Sequence, residues 1–367
     1  MGAICLFFGS GGKESRLAAN SRLVRELLVM GIRRNVAVLI FSNSDMILTR
    51  TTLSLSLALI LPQTSFAQGG GVNFLRQHDL PLHSQGGSSV LGLNDINGDG
   101  VGDYLIGAPR MTTFGLNQNG AAFLYSGIDG AFVRTFPGQP GSSMGTSLAE
   151  LGDIDADGVT DFIVGAPTES SLTFIANGGA HVYSGASGNM LYSLAGEAFW
   201  NFFGTSVAGA GDINLDGVPD IMVGAPGADF GFLSSGAVYY FSGSNGALIR
   251  RDDGTQQGGL FGQSIAGGGD VNGNGFPDVL VGAPGEGISD QGTVYVVSAR
   301  SGSTRYEIHG QNTGDQLGRA ISFVGDLDND GKDDFVLGTK DFHHASIHQG
   351  AAFVHSGSSG ALLYQLG

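Results

Sequence analysis

Cysteine is almost absent from this chain of 367 residues, in which Cys5 is the only one. A disulfide framework and a cysteine-rich zinc site are therefore excluded. Positive charge is scarce as well, because 17 Lys and Arg residues stand against 33 Asp and Glu residues, which gives a net charge of −16. This balance argues against nucleic acid, other polyanions and anionic membranes as partners.

Glycine, in contrast, is abundant, with 64 residues, more than twice the usual share of about 7 %. No Gly-X-Y period is present, which excludes a collagen-like helix. A hydrophobic content of 41 % excludes a wholly disordered chain. The glycine excess therefore predicts many tight turns between short strands, which is typical of an all-β protein.

Residues 46–67 have the three-part layout of a secretory signal peptide. A short, positively charged start at 46–50 precedes an apolar run at 53–61, and Ser65-Phe66-Ala67 is a small-x-small cleavage site. The run is too short to span a bilayer as a helix, which takes about 20 residues. We interpret residues 1–45 as an over-extended, unstructured start, with a genuine long leader or a signal anchor as the alternative. The mature chain, 68–367, is expected to be secreted, periplasmic or at the cell surface, without a transmembrane segment.

The rest of the chain repeats one acidic motif five times, at 95–103, 153–161, 212–220, 270–278 and 326–334. Successive copies begin 56 to 59 residues apart, and such a period indicates a solenoid or a propeller. Gly-Ala-Pro comes twelve residues after the start of the first four copies, and Gly338-Thr339-Lys340 takes its place in the fifth. Phe203-Gly204 and Phe261-Gly262 lie nine residues before copies three and four, where the other copies have related pairs ending in glycine.

Each copy predicts four short strands separated by Gly, Pro, Asn and Asp. In copy three they lie at roughly 206–209, 220–224, 237–242 and 247–250. The second and third strands are apolar on both faces, so both faces must be covered. Sheets stacked around an axis meet this requirement, and we predict an all-β propeller of five four-stranded blades, with a β-solenoid as the alternative. The repeats span about 86–138, 144–196, 203–254, 261–310 and 317–367.

The combined motifs resemble the FG-GAP repeat of integrin alpha-chain N-terminal propellers and of bacterial secreted relatives, over about residues 72–367. Phe203-Gly204 with Gly224-Ala225-Pro226 is the copy most similar to the family pattern. Integrin-like rings have seven blades, so an open or incomplete arc of a seven-bladed type is the alternative to five blades. Residues 71–76 resemble a spare fourth strand, and we expect a closed five-bladed ring sealed by pairing of the N- and C-terminal strands in one sheet.

The acidic loops carry the chemistry. Asp or Asn at positions 1, 3 and 5, a carbonyl at position 7 and Asp at position 9 supply the oxygen ligands that Ca²⁺ prefers, and Gly at position 6 permits the backbone reversal. An EF-hand is excluded because position 12 is apolar and lies in a strand. The resemblance implies the same Ca²⁺ site between the first two strands of each blade; plain Asx-turns without metal are the alternative. The predicted ligands of up to five Ca²⁺ ions are Asp95, Asn97, Asp99, Val101, Asp103, Asp153, Asp155, Asp157, Val159, Asp161, Asp212, Asn214, Asp216, Val218, Asp220, Asp270, Asn272, Asn274, Phe276, Asp278, Asp326, Asp328, Asp330, Lys332 and Asp334.

The carboxylates of these loops differ in number from copy to copy. Copies two and five have four, copies one and three have three, and copy four has two. Close like charges repel each other in the absence of metal. We therefore expect loops two and five to bind Ca²⁺ most tightly and loop four most weakly.

No catalytic motif stands out, because Gly-x-Ser-x-Gly, HExxH and P-loop patterns are missing. His181 and His355 fall in aromatic packing positions of their repeats. His343, His344 and His348 are interpreted as a polar loop between two strands, with a transition-metal site as the alternative. His78, His83 and His309 have no partner that the sequence identifies.

Exposed aromatic residues favour a binding surface instead. Such residues lie on loops at the rim opposite the acidic loops, with seam-filling between blades as the alternative, and they are Phe199, Trp200, Phe202, Phe230 and Phe232. Two functions remain open: a calcium-binding, non-catalytic adhesion or interaction module for protein or glycan partners, and an extracellular carbohydrate-active lyase or hydrolase on a propeller scaffold.

Overall fold

The computed structural model describes residues 80–81, 83–112, 118–229, 231, 233–344 and 347–366, together with four short strands before them. These are β1 (Ala3–Phe7), β2 (Val36–Ile40), β3 (Leu57–Leu59) and β4 (Arg76–His78); β1 pairs with β2 and β3 with β4, both antiparallel. The predicted over-extended start and signal peptide otherwise lie outside the described residues, and both stay predictions. Among the described residues, no helix is long and apolar enough to cross a membrane.

Five four-stranded antiparallel sheets follow, each with its strands in chain order. This confirms the prediction of an all-β chain of five four-stranded propeller blades. The strands of the first two blades are β5 (Ser89–Gly92), β6 (Tyr104–Ala108), β7 (Ala121–Tyr125), β8 (Phe132–Pro137), β9 (Ser147–Gly152), β10 (Asp161–Ala166), β11 (Gly179–Tyr183) and β12 (Met190–Ala195). Those of the other three are β13 (Ser206–Gly211), β14 (Asp220–Ala225), β15 (Ala237–Phe241), β16 (Leu248–Asp253), β17 (Ser264–Gly269), β18 (Asp278–Ala283), β19 (Thr293–Ser298), β20 (Thr304–His309), β21 (Ala320–Gly325), β22 (Asp334–His344), β23 (Ile347–His355) and β24 (Leu362–Leu366).

The middle two strands of each blade are the core. In blade three, every residue of β14 and β15 is buried, because both faces of the sheet are covered by neighbouring blades. One cluster of buried side chains fills the interface, or seam, between each pair of consecutive blades. The apolar character of these strands on both faces therefore follows from stacking, as the sequence predicted.

The next blade leaves no room for a side chain at the first glycine of Gly-Ala-Pro. A Cβ atom on Gly224 would lie 2.1 Å from the carbonyl oxygen of Gly262 and 2.2 Å from Oγ of Ser206. That serine donates a hydrogen bond of 2.7 Å to the same Gly262 oxygen. The other seams repeat this contact, with Ser89 donating to Gly145, Ser147 to Gly204 and Ser264 to Gly318. Two motifs far apart in a repeat thus meet across a seam.

The Phe-Gly phenylalanine fills the seam beside this contact. Phe203 is fully buried and packs edge-on against Tyr239 and Phe241, with ring centroids 5.3 Å and 5.9 Å apart. Phe261 packs in the same way against Tyr295 at 5.4 Å. Edge-to-face aromatic pairs add to the free energy gained from burial.

A second row of contacts joins the blades at their outer strands. In blades one to four, the third residue of the fourth strand donates a hydrogen bond to a carbonyl in the turn that follows the third strand of the next blade. Tyr192 bonds Gly243 at 2.8 Å and Tyr306 bonds Ser358 at 2.6 Å. Arginines at the equivalent positions donate the same kind of hydrogen bond: Arg134 to the Ser187 carbonyl and Arg250 to the Ala299 carbonyl. Tyr364 holds this position in the last blade and is 40 % exposed.

The predicted closure by pairing of terminal strands is wrong for the described residues. All four places in the fifth sheet are filled by its own repeat, and Arg76–His78 pairs with Leu57–Leu59 instead. Extensive contacts run from blade to blade in chain order. His78 lies against the face of the first blade that is turned away from blade two. Its Nε2 atom is 2.6 Å from the Tyr104 hydroxyl, and its ring centroid is 4.0 Å from that of Tyr125.

Two local expectations need correction. The fourth strand of blade three is longer and later than predicted, Leu248–Asp253, since its backbone pairs with all of β15. The segment with His343, His344 and His348 is not a loop between strands, because β22 and β23 extend through it and place His343 opposite His348.

Candidate metal loops and an exposed apolar patch

Each acidic loop joins the first strand of a blade to the second. The glycine at its sixth position has a positive φ in all five copies, between 79° and 91°. This region is open to glycine at little cost and strained for other residues. The predicted backbone reversal is therefore present in every copy.

Carboxylates of the loop are turned inward by its own backbone. In the second loop, Asp153 accepts hydrogen bonds from the N–H groups of Asp157 at 3.1 Å and Gly158 at 2.9 Å. Asp155 accepts one from Asp157 at 3.1 Å, and Asp157 accepts one from Val159 at 2.9 Å. The residues at position seven thus hold the loop through their N–H groups, and a ligand role for their carbonyls stays a prediction.

The ninth position is buried in every loop. Asp161 has no exposed surface and accepts N–H bonds from Ile154 at 2.8 Å, Asp155 at 3.3 Å and Gly185 at 2.8 Å. Burial and, to a lesser degree, the negative charge of Asp155 raise the pKa of Asp161, while its backbone hydrogen bonds work to lower it. Because Gly185 belongs to the turn after the third strand, this residue joins three strands of one blade. Asp103, Asp220 and Asp334 make the equivalent bonds to Gly127, Gly243 and Gly357.

Three carboxylates converge in two of the loops. One oxygen each from Asp153, Asp155 and Asp161 lies within 4.8 Å of the others, and Asp326, Asp328 and Asp334 form the same group in the fifth blade. These are the two loops with four carboxylates. Loops one and three have Asn97 and Asn214 at position three, whose Oδ1 atoms accept the same backbone bond at 2.9 Å and 2.8 Å. Loop four has asparagine at two positions, Asn272 and Asn274.

This donor set suits a hard cation. Carboxylate, amide and carbonyl oxygens are the ligands of Ca²⁺, which tolerates irregular geometry. Without an ion, the clustered carboxylates repel each other. Burial is the largest cause of the raised pKa of Asp334, and the negative charge of Asp328 raises this pKa further. The residues present therefore fit Ca²⁺.

Two acidic residues outside the loops were missed by sequence reasoning. Glu169 lies 2.7 Å from Nε2 of His181, and Glu286 accepts a 2.6 Å hydrogen bond from the Tyr295 hydroxyl. Both follow the first glycine of Gly-Ala-Pro by four residues, and that shared offset was the available signal. Glu286 is 1 % exposed, and burial raises its pKa although the bond from Tyr295 lowers it.

Three histidines have contacts that indicate a structural role. His355 is buried and stacks on Phe335 at 5.7 Å, while its Nδ1 lies 2.9 Å from the Gly360 carbonyl oxygen. The predicted packing position is thus confirmed for His355. His181 occupies its packing position as well, with Glu169 as an ionisable partner. His309 has Thr293 as a partner at 3.2 Å.

An exposed apolar patch lies at the strand ends opposite the acidic loops. It consists of Leu172, Phe174 and Ile175 on the loop after β10, and Phe199 and Trp200 on the connection between blades two and three. Leu172 is fully exposed, and Ile175, Phe199 and Trp200 are 57 %, 51 % and 57 % exposed. These fractions differ from the complete burial of Phe203, which fills the seam itself.

The two segments of the patch are joined by direct contacts. The Phe174 and Phe199 rings pack edge-on with centroids 5.1 Å apart, and the Trp200 N–H donates to the Ile175 carbonyl at 3.1 Å. Phe202 is half-buried, with its ring 6.0 Å from that of Trp200. Of the five aromatic residues predicted for this surface, Phe230 and Phe232 lie outside the described residues.

Comparison with known proteins agrees with this architecture. The FG-GAP repeat model matches residues 144–186, 203–241 and 261–297, which run through the first three strands of blades two to four. The chain contains FG-GAP repeats and is similar to integrin alpha chains. It is 34 % identical to integrin alpha pat-2 of Caenorhabditis briggsae over 218 residues, 52 % of this chain and 17 % of that protein. It is 30 % identical to integrin alpha-5 of Xenopus laevis over 236 residues, 59 % of this chain and 22 % of that protein.

The FG-GAP chain thus matches only about a fifth of the length of these relatives. Among solved structures it is similar to Sqt1 of Saccharomyces cerevisiae, with a TM-score of 0.46 and 11 % identity over 72 % of this chain and 58 % of that one. The two motifs of the repeat meet at the seams, where the second residue of Phe-Gly lies against the first residue of Gly-Ala-Pro.

Proposed function

We propose that this FG-GAP protein is a secreted, calcium-binding propeller that acts as a non-catalytic adhesion or interaction module outside the cell. The observation that carries the proposal is the convergence of three carboxylates in loops two and five, on a backbone shared by all five loops. Similarity to integrin alpha chains supports an interaction role. The signal-peptide pattern at 46–67 supports export.

Ca²⁺ would connect strands that the loop alone holds through hydrogen bonds. Its ligands would be the exposed carboxylates and amides at positions 1, 3 and 5 together with the buried Asp at position 9. The buried residue already bonds the turn after the third strand, so a bound ion ties this turn to the first two strands. Ca²⁺ supplies positive charge that offsets the repulsion within each loop.

The surroundings of Glu169 and Glu286, the two acidic residues outside the loops, favour a structural role over a catalytic one. Glu286 is enclosed with Tyr295 beside the seam between blades three and four, where a substrate has no access to its 1 % exposed side chain. Glu169 is held by His181 in the corresponding position. Both act as polar packing groups in this proposal.

Calorimetric titration of chelator-treated protein with Ca²⁺ tests the metal. We expect up to five ions, with uptake at the lowest concentration lost on replacing Asp153 and Asp326 by Asn. Mg²⁺ serves as the control cation, because it demands a more regular octahedron and is expected to bind more weakly. An absence of Ca²⁺ uptake and an unchanged melting temperature with chelator would refute the proposal. Turnover of acidic polysaccharides or glycosides, lost on replacing Glu169 or Glu286 by Gln, would support the enzyme instead.

A further inference from the structure

The seam between blades four and five has a leucine where two other seams have phenylalanine. Leu317 takes the place of Phe203 and Phe261, each of which precedes the glycine of Phe-Gly. Backbone hydrogen bonds hold the three residues alike, because each donates its N–H to a carbonyl shortly before the third strand of the preceding blade. The acceptors are Asn177 for Phe203 at 3.2 Å, Ser235 for Phe261 at 3.0 Å and Gln291 for Leu317 at 3.0 Å. Leucine at this position therefore leaves out the outer part of a phenyl ring.

A cavity of about 80 Å³ lies at this place, and we call it the seam cavity. Leu317, Phe353 and His355 line it. The residues of blade three that correspond to Phe353 and His355 are the two whose rings Phe203 contacts, Tyr239 and Phe241. The seam cavity thus has the ring surroundings that hold a phenylalanine side chain between blades two and three.

A glycine beside the ring agrees with this placement. A Cβ atom on Gly196 would lie 2.9 Å from Cβ of Phe203, and one on Gly254 would lie 2.8 Å from Cβ of Phe261. Gly310 has the same place at the end of the fourth strand of blade four, and it lines the seam cavity. Both blades therefore present to the cavity what they present to a phenyl ring elsewhere.

The seam cavity has an apolar floor and a polar mouth. Leu317 and Phe353 are 3 % and 5 % exposed, whereas the lining residues His309, Gln311 and Leu362 are exposed. His355 is a buried wall, and its Nδ1 is 2.9 Å from the Gly360 carbonyl oxygen. Burial lowers the pKa of His355, although the bond to Gly360 raises it, so this ring is uncharged near pH 7.

The charge of the lining limits the ligand. Asp315 lines the cavity and is 1 % exposed, and its Oδ2 accepts N–H bonds from Gln311 at 3.1 Å and Asn312 at 2.7 Å. A buried carboxylate repels an anion placed beside it. An uncharged ligand therefore suits this cavity better than an aromatic acid.

We propose that the seam cavity binds an uncharged monocyclic aromatic ring, with a polar substituent at the mouth beside His309 and Gln311. The ring packs against Phe353 and His355 in the manner of an aromatic pair. Closed cavities of about 150 Å³ hold benzene, so in this smaller, open cavity the substituted end of the ring lies in the mouth. A small phenol and a tyrosine side chain of a bound protein segment share this chemistry. The inference goes beyond the proposed function, because the seam cavity lies at the strand ends opposite the calcium loops.

Ligand-observed ¹⁹F NMR with 4-fluorophenol tests the site on the calcium-loaded full chain. The competitors are p-cresol, cyclohexanol and N-acetyltyrosinamide. Leu317→Phe fills the cavity with the side chain that two other seams have, and its melting temperature should be unchanged or higher. Leu233→Phe is the matched control, since the same replacement is made at a residue of blade three that is 66 % exposed.

We expect 4-fluorophenol to bind saturably, p-cresol to displace it and cyclohexanol to compete at least about tenfold more weakly, because a saturated ring cannot form aromatic contacts. Leu317→Phe should weaken binding about tenfold or more, and Leu233→Phe should leave it unchanged. Leu362→Asp at the exposed mouth is a second variant, and it should weaken binding about fivefold or more.

An absence of saturable binding, or full binding by folded Leu317→Phe, would overturn the placement of the site. Equal competition by cyclohexanol would contradict the aromatic class of ligand. Displacement by N-acetyltyrosinamide as well as p-cresol would assign the cavity to a protein side chain, whereas displacement by p-cresol alone would assign it to a small phenol. Calcium uptake is measured separately, so neither result decides the other.

Discussion

Replacing Asp155 by Asn tests whether the carboxylate of this residue serves as a metal ligand or only as a hydrogen-bond acceptor that holds the loop. The carboxylate of Asp155 makes one backbone hydrogen bond, from Asp157 at 3.1 Å, and an amide oxygen can accept the same bond. Loops one and three have asparagine at this position with that bond in place. In the presence of chelator we therefore expect Asp155→Asn to leave the free energy of unfolding unchanged or slightly higher, because a negative charge near Asp161 is removed.

In calcium the same substitution should destabilise the protein. Extracellular Ca²⁺ modules have a Kd of about 10⁻⁴–10⁻³ M, so one site at about 10 mM Ca²⁺ stabilises the folded state by about 1.4–2.7 kcal/mol. The variant should lose much of this contribution. Urea unfolding with chelator and with Ca²⁺ measures the difference. Asp129→Asn, on a turn of blade one where the carboxylate accepts an N–H bond from Ala131 at 2.8 Å, is the control and should show no calcium dependence.

Asp161→Asn should behave differently from Asp155→Asn. Both oxygens of buried Asp161 accept N–H bonds, so an amide NH₂ group must face one of these donors. We expect a loss of about 1–3 kcal/mol even in chelator. If Asp155→Asn and Asp161→Asn had equal effects with and without Ca²⁺, the distinction between an ion ligand and a loop anchor would be wrong.

Three further predictions concern the seams. Gly224→Ala should destabilise the protein by about 3 kcal/mol or lower its expression, since the new Cβ meets backbone oxygen at 2.1 Å; thermal unfolding compares it with Gly209→Ala, whose Cβ has its nearest neighbour at 3.3 Å. Tyr192→Phe should cost about 1 kcal/mol in urea unfolding by removing a bond to the next blade, whereas Tyr364→Phe in the last blade should be nearly neutral. Glu286→Gln should stabilise at pH 8 but not at pH 4: burial raises the folded-state pKa of Glu286, so the wild type loses stability as pH rises through that pKa, and equal effects at both pH values would contradict this.

The acidic loops were predictable because their chemistry is local. Residues 153–161 form hydrogen bonds chiefly within nine positions, so Asp, Asn and Gly at fixed offsets specify the loop without knowledge of its neighbours. The hydrogen bond from the Gly185 N–H to the buried Asp161 carboxylate was not predictable in this way, because the two residues are 24 positions apart.

Sequence alone determined the blades of this protein, while tertiary structure decided what lies between and beyond them. A 56- to 59-residue period and strands apolar on both faces predict stacked four-stranded sheets. The pairing of Glu169 with His181, the exposure of Trp200 beside fully buried Phe203, and the packing of His78 against the first blade follow from which faces meet. The pattern of one repeat records that a face is covered, but the geometry of stacking determines which side chain covers it.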